Sequence, residues 1–255
     1  MNAWERSVLL SRWANRLSYA LNAPRVYRNW WSVPLPKFGR DVVLELRNGI
    51  RYYVRGGTRD LSTVNEAAFA DPYLANGFVR VSPDSIVVDI GANIGDFAVR
   101  AARAAPDGRV IAVEPVESAG AMIATQARLN NLSNITWVHA AIGGSDGDVG
   151  ATRARNPYAD PGAPPAPMMT LQHLMAQLSL DRIDVLKLDC EGAEWDILPS
   201  SESVLPHVRQ ICMEYHCEHG WTPKRLGDWL INRGFEVTYT SGPWNGLLWA
   251  RRTLV

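Results

Sequence analysis

The residues best suited to chemistry are acids and glycines that follow short apolar runs. Residues 86–97 read IVVDIGANIGDF, so Asp89 comes near the end of a β-branched run and Gly91, Asn93 and Gly95 follow at every second position. Glycines permit a tight turn and let a ligand approach the backbone closely. A carboxylate there would repel a phosphate group but attract a cation. The stretch predicts a site for a nucleotide-like ligand with a cationic amino-acid part, although a glycine-rich turn of another kind of α/β protein is an alternative.

A second acid, Glu114, ends the apolar run 109–113, 25 positions after Asp89. In α/β nucleotide-binding proteins an acid at this point accepts hydrogen bonds from ribose hydroxyls. A solvated glutamate at a strand end is the alternative. Ala141 ends the next apolar run, and we expect it near the base of the same nucleotide-like ligand.

A dense acidic segment follows the fourth apolar run. Residues 187–194 read KLDCEGAE, with three acids and one lysine in eight positions. Asp189 and Glu191 alternate, so in an extended segment their side chains would point the same way. We expect both in the site. Glu194 is expected in a supporting role, for which capping of the following helix is one option.

Glu214 and His216 end the fifth apolar run and are again two residues apart. A histidine near its ordinary pKa is a natural general base for a hydroxyl group, and a neighbouring carboxylate could orient it. A structural histidine at a strand end is the alternative. With Asp189 and Glu191, these side chains could instead bind Mg²⁺, which prefers oxygen ligands.

Alternating strands and helices are predicted to position these residues. The predicted strands are 86–90, 109–114, 135–141, 183–188, 210–215, 235–239 and 247–250. The predicted helices are 97–105, 117–130, 171–178, 193–198 and 222–233. The link between the last two strands is too short for a crossover, so they must be antiparallel. The pattern predicts an α/β fold, with a doubly wound, mostly parallel seven-stranded sheet and a terminal antiparallel hairpin.

Residues 1–80 are predicted to be an N-terminal accessory region, and residues 81–255 the catalytic domain. A basic amphipathic helix is predicted over 4–21, then a hairpin with a type I′ turn at Asn48-Gly49 and a helix over 61–70. The first helix could contact a membrane surface, cap the core or pair two copies of the chain. The proline-rich run 157–167 is either a lid over a substrate or a plain surface loop.

Bulk composition narrows the class of protein. The net charge is zero, but residues 1–60 hold eleven Lys and Arg against four Asp and Glu. No recognisable motif links this basic part to nucleic acid. Three cysteines suggest a reducing, cytoplasmic setting rather than a disulfide framework. The sequence has no run of about 20 apolar residues, so no transmembrane segment is predicted, and no signal peptide is evident.

The motifs together resemble the FkbM family of S-adenosylmethionine (SAM)-dependent methyltransferases over roughly residues 42–216. They are Asp89-x-Gly91-x-Asn93-x-Gly95, Glu114-Pro115 and the K-x-D-x-E-G-x-E run from Lys187. The resemblance implies a class I methyltransferase fold, SAM as cofactor and a small-molecule hydroxyl acceptor on a sugar or natural product. It implies that the first motif holds the amino-acid end of SAM and that Glu114 holds its ribose.

Two other functions are open on the sequence alone. An NAD-dependent oxidoreductase would share the glycine turn and the ribose acid, but Asn93 takes the place of the second glycine of its fingerprint. A non-catalytic SAM-binding or membrane-surface protein is the other alternative, suggested by the basic N-terminal helix.

Overall fold

The computed structural model of the chain describes residues 19, 21–148, 166–217, 222–240, 242 and 245–253. The chain divides into two compact units, Met1–Asp71 and Pro72–Val255. The segment 72–80, which the sequence pattern grouped with the N-terminal region, therefore belongs to the second unit. Of the predicted helix 4–21, only residues 19 and 21 are described. Both are helical, and the helix continues to residue 26.

The first unit contains an antiparallel hairpin. Strands β1 (Val42–Glu45) and β2 (Arg51–Val54) pair so that Glu45 lies opposite Arg51. The predicted type I′ turn is wrong, because it needs positive φ at both central residues and Gly49 has it while Asn48 does not. The turn instead closes with the Gly49 N–H donating to the Leu46 oxygen over 2.9 Å.

A helix covers the inner side of this hairpin. Helix α1 (Asp60–Phe69) carries Asn65, whose side-chain oxygen accepts a hydrogen bond of 2.8 Å from the buried Tyr27 hydroxyl. Asp60, also buried, pairs with Arg55 at 2.8 Å at the start of the helix. Buried polar groups that are paired in this way stabilise one arrangement of helix and hairpin.

The second unit is built on a seven-stranded sheet with the order β11-β12-β10-β9-β3-β4-β5. Its strands are β3 (Ile86–Ile90), β4 (Arg109–Val113), β5 (Ile135–Val138), β9 (Val185–Leu188), β10 (Gln210–His216), β11 (Phe235–Tyr239) and β12 (Asn245–Arg252). The neighbours from β5 to β10 pair in parallel, and β12 pairs antiparallel with both β10 and β11. The predicted doubly wound sheet with a terminal antiparallel hairpin is confirmed.

Helices cover both faces of the sheet. They are α2 (Asp96–Ala104), α3 (Glu117–Leu129), α4 (Leu171–Gln177), α5 (Glu194–Ser200) and α6 (Pro223–Ile231). Val87 packs on one face with residues of α2 and α3, whereas Val88 and Ile90 pack on the other with residues of α4, α5 and α6. Strands buried on both faces have continuous apolar sequences, which is why these runs could be predicted.

The third strand of the large sheet is shorter than predicted. It ends at Val138, because the chain turns there and the Ala140 N–H donates to the Val138 oxygen over 3.0 Å. Ala141 belongs to a separate sheet with the order β6-β8-β7, formed by β6 (Ala141–Ile142), β7 (Gly147–Asp148) and β8 (Pro167–Met169). Residues 157–165, most of the proline-rich run that could be a lid or a plain surface loop, lie outside the described residues.

Within the described part of the chain, no helix is both long enough and apolar enough to cross a membrane.

Candidate active site

The predicted site residues meet at one edge of the sheet. Strands β3, β4, β9 and β10 are parallel neighbours in the order β10-β9-β3-β4, so their carboxyl ends lie side by side. Ligands of open α/β sheets bind at this edge. The carboxyl-terminal ends of these strands and the segments that follow them carry every predicted residue except Ala141, which is buried in the small sheet.

The glycine turn after β3 owes its sequence to packing within the protein. Gly91 has φ +75°, and a Cβ on it would lie 1.8 Å from the Asp189 carbonyl oxygen. Gly95 has φ +85°, and a Cβ there would lie 3.2 Å from Ile123 of α3. The expectation that these glycines leave room for a ligand is therefore incomplete, since protein atoms fill the space beside both.

The backbone amides of this turn are used within the protein. The N–H groups of Gly91 and Ala92 both donate to the Val113 oxygen over 3.0 Å, and the Asn93 N–H donates to Glu114 Oε2 over 2.8 Å. A dinucleotide site instead presents such amides to a pyrophosphate. These three amides have protein acceptors, so they are not available to a phosphate.

Glu114 is buried, and its carboxylate accepts hydrogen bonds from two backbone amides, those of Asn93 and Val116. Its Oε1 accepts from the Val116 N–H over 2.8 Å. Burial raises the pKa of Glu114, while the two amide hydrogen bonds oppose that change. Each carboxylate oxygen has a second lone pair, so ribose hydroxyls could still donate to Glu114.

Lys187 occupies the centre of a buried charged cluster. Its Nζ lies 2.9 Å from Asp89 Oδ1 and 3.7 Å from Asp189 Oδ2, and it donates to the Gly91 oxygen over 2.9 Å. Burial alone would lower the pKa of Lys187, but the carboxylates of Asp89 and Asp189 outweigh it and raise the pKa. The ammonium group therefore stays charged and ties β3, its turn and the loop after β9 together.

The carboxylates in this cluster outnumber the cation. Asp89 is fully buried, and neither of its oxygens has a hydrogen bond of good geometry even though Lys187 is close enough for an ion pair. Burial raises the pKa of Asp89, and it raises the pKa of Asp96 to about 7 against the opposing pull of Lys187. A cationic ligand would offset this excess of negative charge. The ammonium and sulfonium groups of SAM are cations and would complement these carboxylates.

Tyr73 is a site residue that the sequence motifs did not indicate. Its hydroxyl donates to Asp189 Oδ2 over 2.9 Å, and its ring centroid lies 5.3 Å from Lys187 Nζ. The Trp249 indole N–H donates to the backbone carbonyl oxygen of Tyr73 over 2.9 Å. Because Tyr73 lies 116 positions from Asp189, no local spacing could have shown the contact.

The loop after β9 turns sharply instead of continuing extended. Glu191 has φ +54° and Gly192 φ +101°, both in the left-handed region. The expectation that Asp189 and Glu191 point the same way is therefore wrong. Asp189 faces Tyr73 and Lys187, whereas Glu191 Oε2 lies 3.6 Å from His216 Nε2.

His216 lies between two carboxylates. Its Nδ1 is 3.5 Å from Oε1 of the fully buried Glu194, and its Nε2 faces the exposed Glu191. Glu194 Oε1 also accepts from the Cys190 N–H over 3.0 Å, and the Trp195 indole N–H donates to the His216 oxygen. The side chain of Glu194, as acceptor and as negative charge, is the main cause that raises the pKa of His216 to about 9. Because 3.5 Å between Nδ1 and Glu194 Oε1 is long for a hydrogen bond, the attraction between the carboxylate and the protonated ring contributes more to this shift than an aligned hydrogen bond does.

Glu214 shares a strand face with His216, as predicted, but its side chain has another partner. Its Oε1 accepts from the Asn245 side-chain amide over 2.6 Å, and its charge helps to raise the pKa of His216. The described residues contain no group of three or more His, Cys, Asp or Glu that could hold a metal ion. The structure thus gives no support for a Mg²⁺ site built from these residues.

Comparison with known proteins identifies the class and the family. A family model described as the methyltransferase FkbM domain matches residues 89–237. The methyltransferase FkbM of Methylobacillus flagellatus has a TM-score of 0.56 and 16% identity, covering 74% of this chain and 53% of that one. A SAM-dependent methyltransferase of Agrobacterium tumefaciens has a TM-score of 0.52 and 12% identity, covering 84% and 70%.

The fold is that of the class I methyltransferases, and the matching family model describes a methyltransferase domain. The chain belongs to the FkbM methyltransferase family, since the family model matches more than half of it. Among curated proteins, the AMB antimetabolite synthetase AmbE of Pseudomonas aeruginosa is 28% identical over 262 residues. That match covers 82% of this chain but only 12% of the synthetase.

Proposed function

We propose that the protein is a SAM-dependent O-methyltransferase that acts on a hydroxyl of a sugar or natural-product-type small molecule. Membership of the FkbM family supports methyl transfer. The relative AmbE is named as a synthetase of an antimetabolite, which favours a biosynthetic role over a regulatory one. A cytoplasmic setting is part of the proposal, because Cys190, Cys212 and Cys217 are all free thiols.

The observation that carries the proposal is the charge at the turn after β3. The turn has three amides with protein acceptors, and the carboxylates of Asp89, Asp96 and Asp189 lie close to Lys187. Such a site would repel a pyrophosphate and attract a cation, which favours SAM over NAD⁺. In the proposal the turn of Asp89, Gly91, Asn93 and Gly95 holds the amino-acid end of SAM, and Glu114 holds its ribose.

Bound SAM would supply an electrophilic methyl group, and this chain's own residues would prepare the acceptor oxygen. His216 is the proposed general base, with Glu194 holding Nδ1 so that Nε2 faces the acceptor. Glu191 is 57% exposed at its side chain, so an acceptor hydroxyl can take its place at Nε2. Its departure would remove one of the charges that raise the pKa of His216, so a larger fraction of the ring would be neutral and able to act as a base.

The role of Asp189 in the proposal is to position the acceptor. Tyr73 and Lys187 hold its carboxylate at the carboxyl end of β9, with its side chain still 32% exposed. Alignment of the acceptor oxygen with the methyl group is the main task of such a site. The proposal assigns deprotonation to His216 and requires no Mg²⁺, so activity should persist in EDTA.

The test uses SAM with a labelled methyl group and a panel of sugars and hydroxylated natural products, each beside its amino counterpart. We expect label on hydroxyl oxygen, a decrease in turnover of about 10²–10⁴-fold in His216→Ala, and nearly unchanged SAM affinity. The matched control is His207→Ala, at an exposed histidine outside the site. Label found only on amines, or full activity of His216→Ala, would contradict the proposal.

A further inference from the structure

Large apolar side chains are exposed in one part of the N-terminal unit. Of the seven exposed large hydrophobic residues in the described part of the chain, five lie within residues 21–43. Three of the five are aromatic, namely Trp30, Trp31 and Phe38, with exposed fractions of 46%, 63% and 77%. We call residues 30–38 the aromatic turns. They comprise two short 3₁₀ helices, Trp30–Ser32 and Leu35–Phe38.

The aromatic turns are exposed although their backbone is anchored. The side chain of Asn29 donates to the Val43 oxygen over 2.7 Å and accepts from the Glu45 N–H over 2.9 Å, which attaches the first turn to β1. The buried Pro36 attaches the second turn, because its oxygen accepts from the Gly57 N–H over 2.9 Å. The rings are therefore held in water by an ordered backbone, at a cost in hydrophobic free energy that a binding role would explain.

Cations accompany these rings, and the nearby acids are already engaged. Arg25, Arg28, Lys37, Arg40 and Arg47 are exposed. The acids in the same stretch are Asp41, which accepts from the Gly56 N–H and the Tyr53 hydroxyl, and Glu45, which pairs with Arg28 at 3.3 Å. Within the described residues, neither Lys37 nor Arg40 has an acidic partner. The stretch thus presents uncompensated positive charge beside exposed aromatic rings.

We propose that the aromatic turns, with Lys37 and Arg40, form a docking surface for the anionic headgroup region of a lipid bilayer. Tryptophan and phenylalanine partition into the membrane interface, and adjacent cations are attracted to anionic lipids. Rings that are 63% and 77% exposed project outward, whereas rings that line a peptide groove would be more covered. A second copy of the chain is a poor occupant, because a symmetric contact would bring like charges together.

The test is cosedimentation of the full chain with vesicles of phosphatidylcholine alone or with roughly 30% phosphatidylserine, at low and high salt. We expect binding that requires the anionic lipid and weakens with salt. Trp31→Ser/Phe38→Ser and Lys37→Gln/Arg40→Gln should each bind about tenfold more weakly. The matched controls Ile231→Ser and Lys224→Gln, at exposed sites of the other unit, should bind within about twofold of wild type.

Other results would overturn the proposal. Absence of vesicle binding by the wild type would do so, and so would binding that both double variants retain in full. Binding to poly-glutamate but not to vesicles would assign the surface to an acidic protein partner. Light scattering that shows a dimer dissociated by Trp31→Ser/Phe38→Ser would assign it to a second copy. Unchanged circular dichroism and melting temperature of the variants exclude misfolding as the cause of weaker binding.

Discussion

The imidazole of His216 lies between two carboxylates that differ in accessibility. Glu194 is fully buried at the start of α5, whereas Glu191 is mostly exposed on a left-handed turn. A buried carboxylate can orient an imidazole and stabilise its cation, and an exposed one can be replaced by a ligand. The geometry therefore assigns different roles to two acids that are only three residues apart.

Glu194→Gln should lower the pKa of His216. The pKa is raised to about 9, so the ring is protonated at neutral pH and becomes neutral as the pH rises through that value. Removing the largest cause should move this titration down by roughly one pH unit or more. NMR titration of the imidazole protons, assigned with His216→Ala, measures the shift without any acceptor.

Glu236→Gln is the matched control, because Glu236 pairs with Arg251 on the surface of β11. Its His216 titration should match that of the wild type. An unchanged midpoint in Glu194→Gln would show that the buried carboxylate does not control the imidazole.

Asp96→Asn should stabilise the ligand-free protein more as the pH rises. The pKa of Asp96 is about 7 in the folded state but near 4 in the unfolded chain, so the wild type loses stability as the pH rises from about 4 to 7. Asparagine does not ionise and avoids this loss. We expect a gain of about 1–3 kcal/mol at about pH 8 and little gain at about pH 4.

Urea unfolding at both pH values measures the effect of Asp96→Asn. The exposed Asp107→Asn is the control and should show no such pH dependence. An equal change in the free energy of unfolding at the two pH values would contradict the assignment of Asp96 as a carboxyl group whose pKa is raised by folding.

At the level of elements, the turn after β3 and the loop after β9 are in direct contact. The Asp189 carbonyl oxygen fills the space beside Gly91, and Lys187 donates to the Gly91 oxygen. Two loops from neighbouring parallel strands thus form a single structural unit at the carboxyl edge. A change in one should therefore disturb ligand binding by the other.

Gly91→Ala should destabilise the protein far more than Gly77→Ala. Both glycines have positive φ, but a Cβ at Gly91 collides with the Asp189 backbone whereas one at Gly77 meets nothing within 4 Å. We expect a loss of about 1 kcal/mol for Gly77→Ala and about 3 kcal/mol or more for Gly91→Ala. Denaturant unfolding compares the two variants, and equal losses would show that the collision is relieved at little cost.

The order of strands and helices could be predicted because each element carries its own signal. Doubly buried strands have continuous apolar runs, and glycine or proline marks where they end. Parallel order then brings the predicted acids to one edge. The predicted end of the third strand was wrong because Ala140, Ala141 and Ile142 are apolar, as a longer strand requires, but belong to a turn into another sheet.

Contacts between distant parts of the chain could not be predicted. Tyr73 reaches Asp189 only through the folded topology, and the left-handed conformation of Glu191 has no sequence signal beyond the following glycine. The partner of His216 was expected to be Glu214 on the same strand, whereas the structure places Glu194 and Glu191 at its ring. The surroundings of the His216 ring are thus set by side chains from other elements, which the sequence of its own strand does not show.

At the scale of the whole molecule, charge is unevenly distributed along the chain. The first 60 residues are basic, and the rest has the matching excess of acid. In the second unit, the acids converge on the edge where the proposed cationic cofactor would bind. In the first unit, cations accompany exposed aromatic rings. The proposed membrane contact of the N-terminal region thus depends on positive charge, and the proposed binding of SAM depends on negative charge.

Calorimetric titration of the full chain with SAM, S-adenosylhomocysteine and NAD⁺ tests the central claim most directly. The account predicts saturable binding of SAM and S-adenosylhomocysteine and none of NAD⁺, because the acidic turn after β3 has three amides that are unavailable to a pyrophosphate. Binding of NAD⁺ without binding of SAM would contradict it.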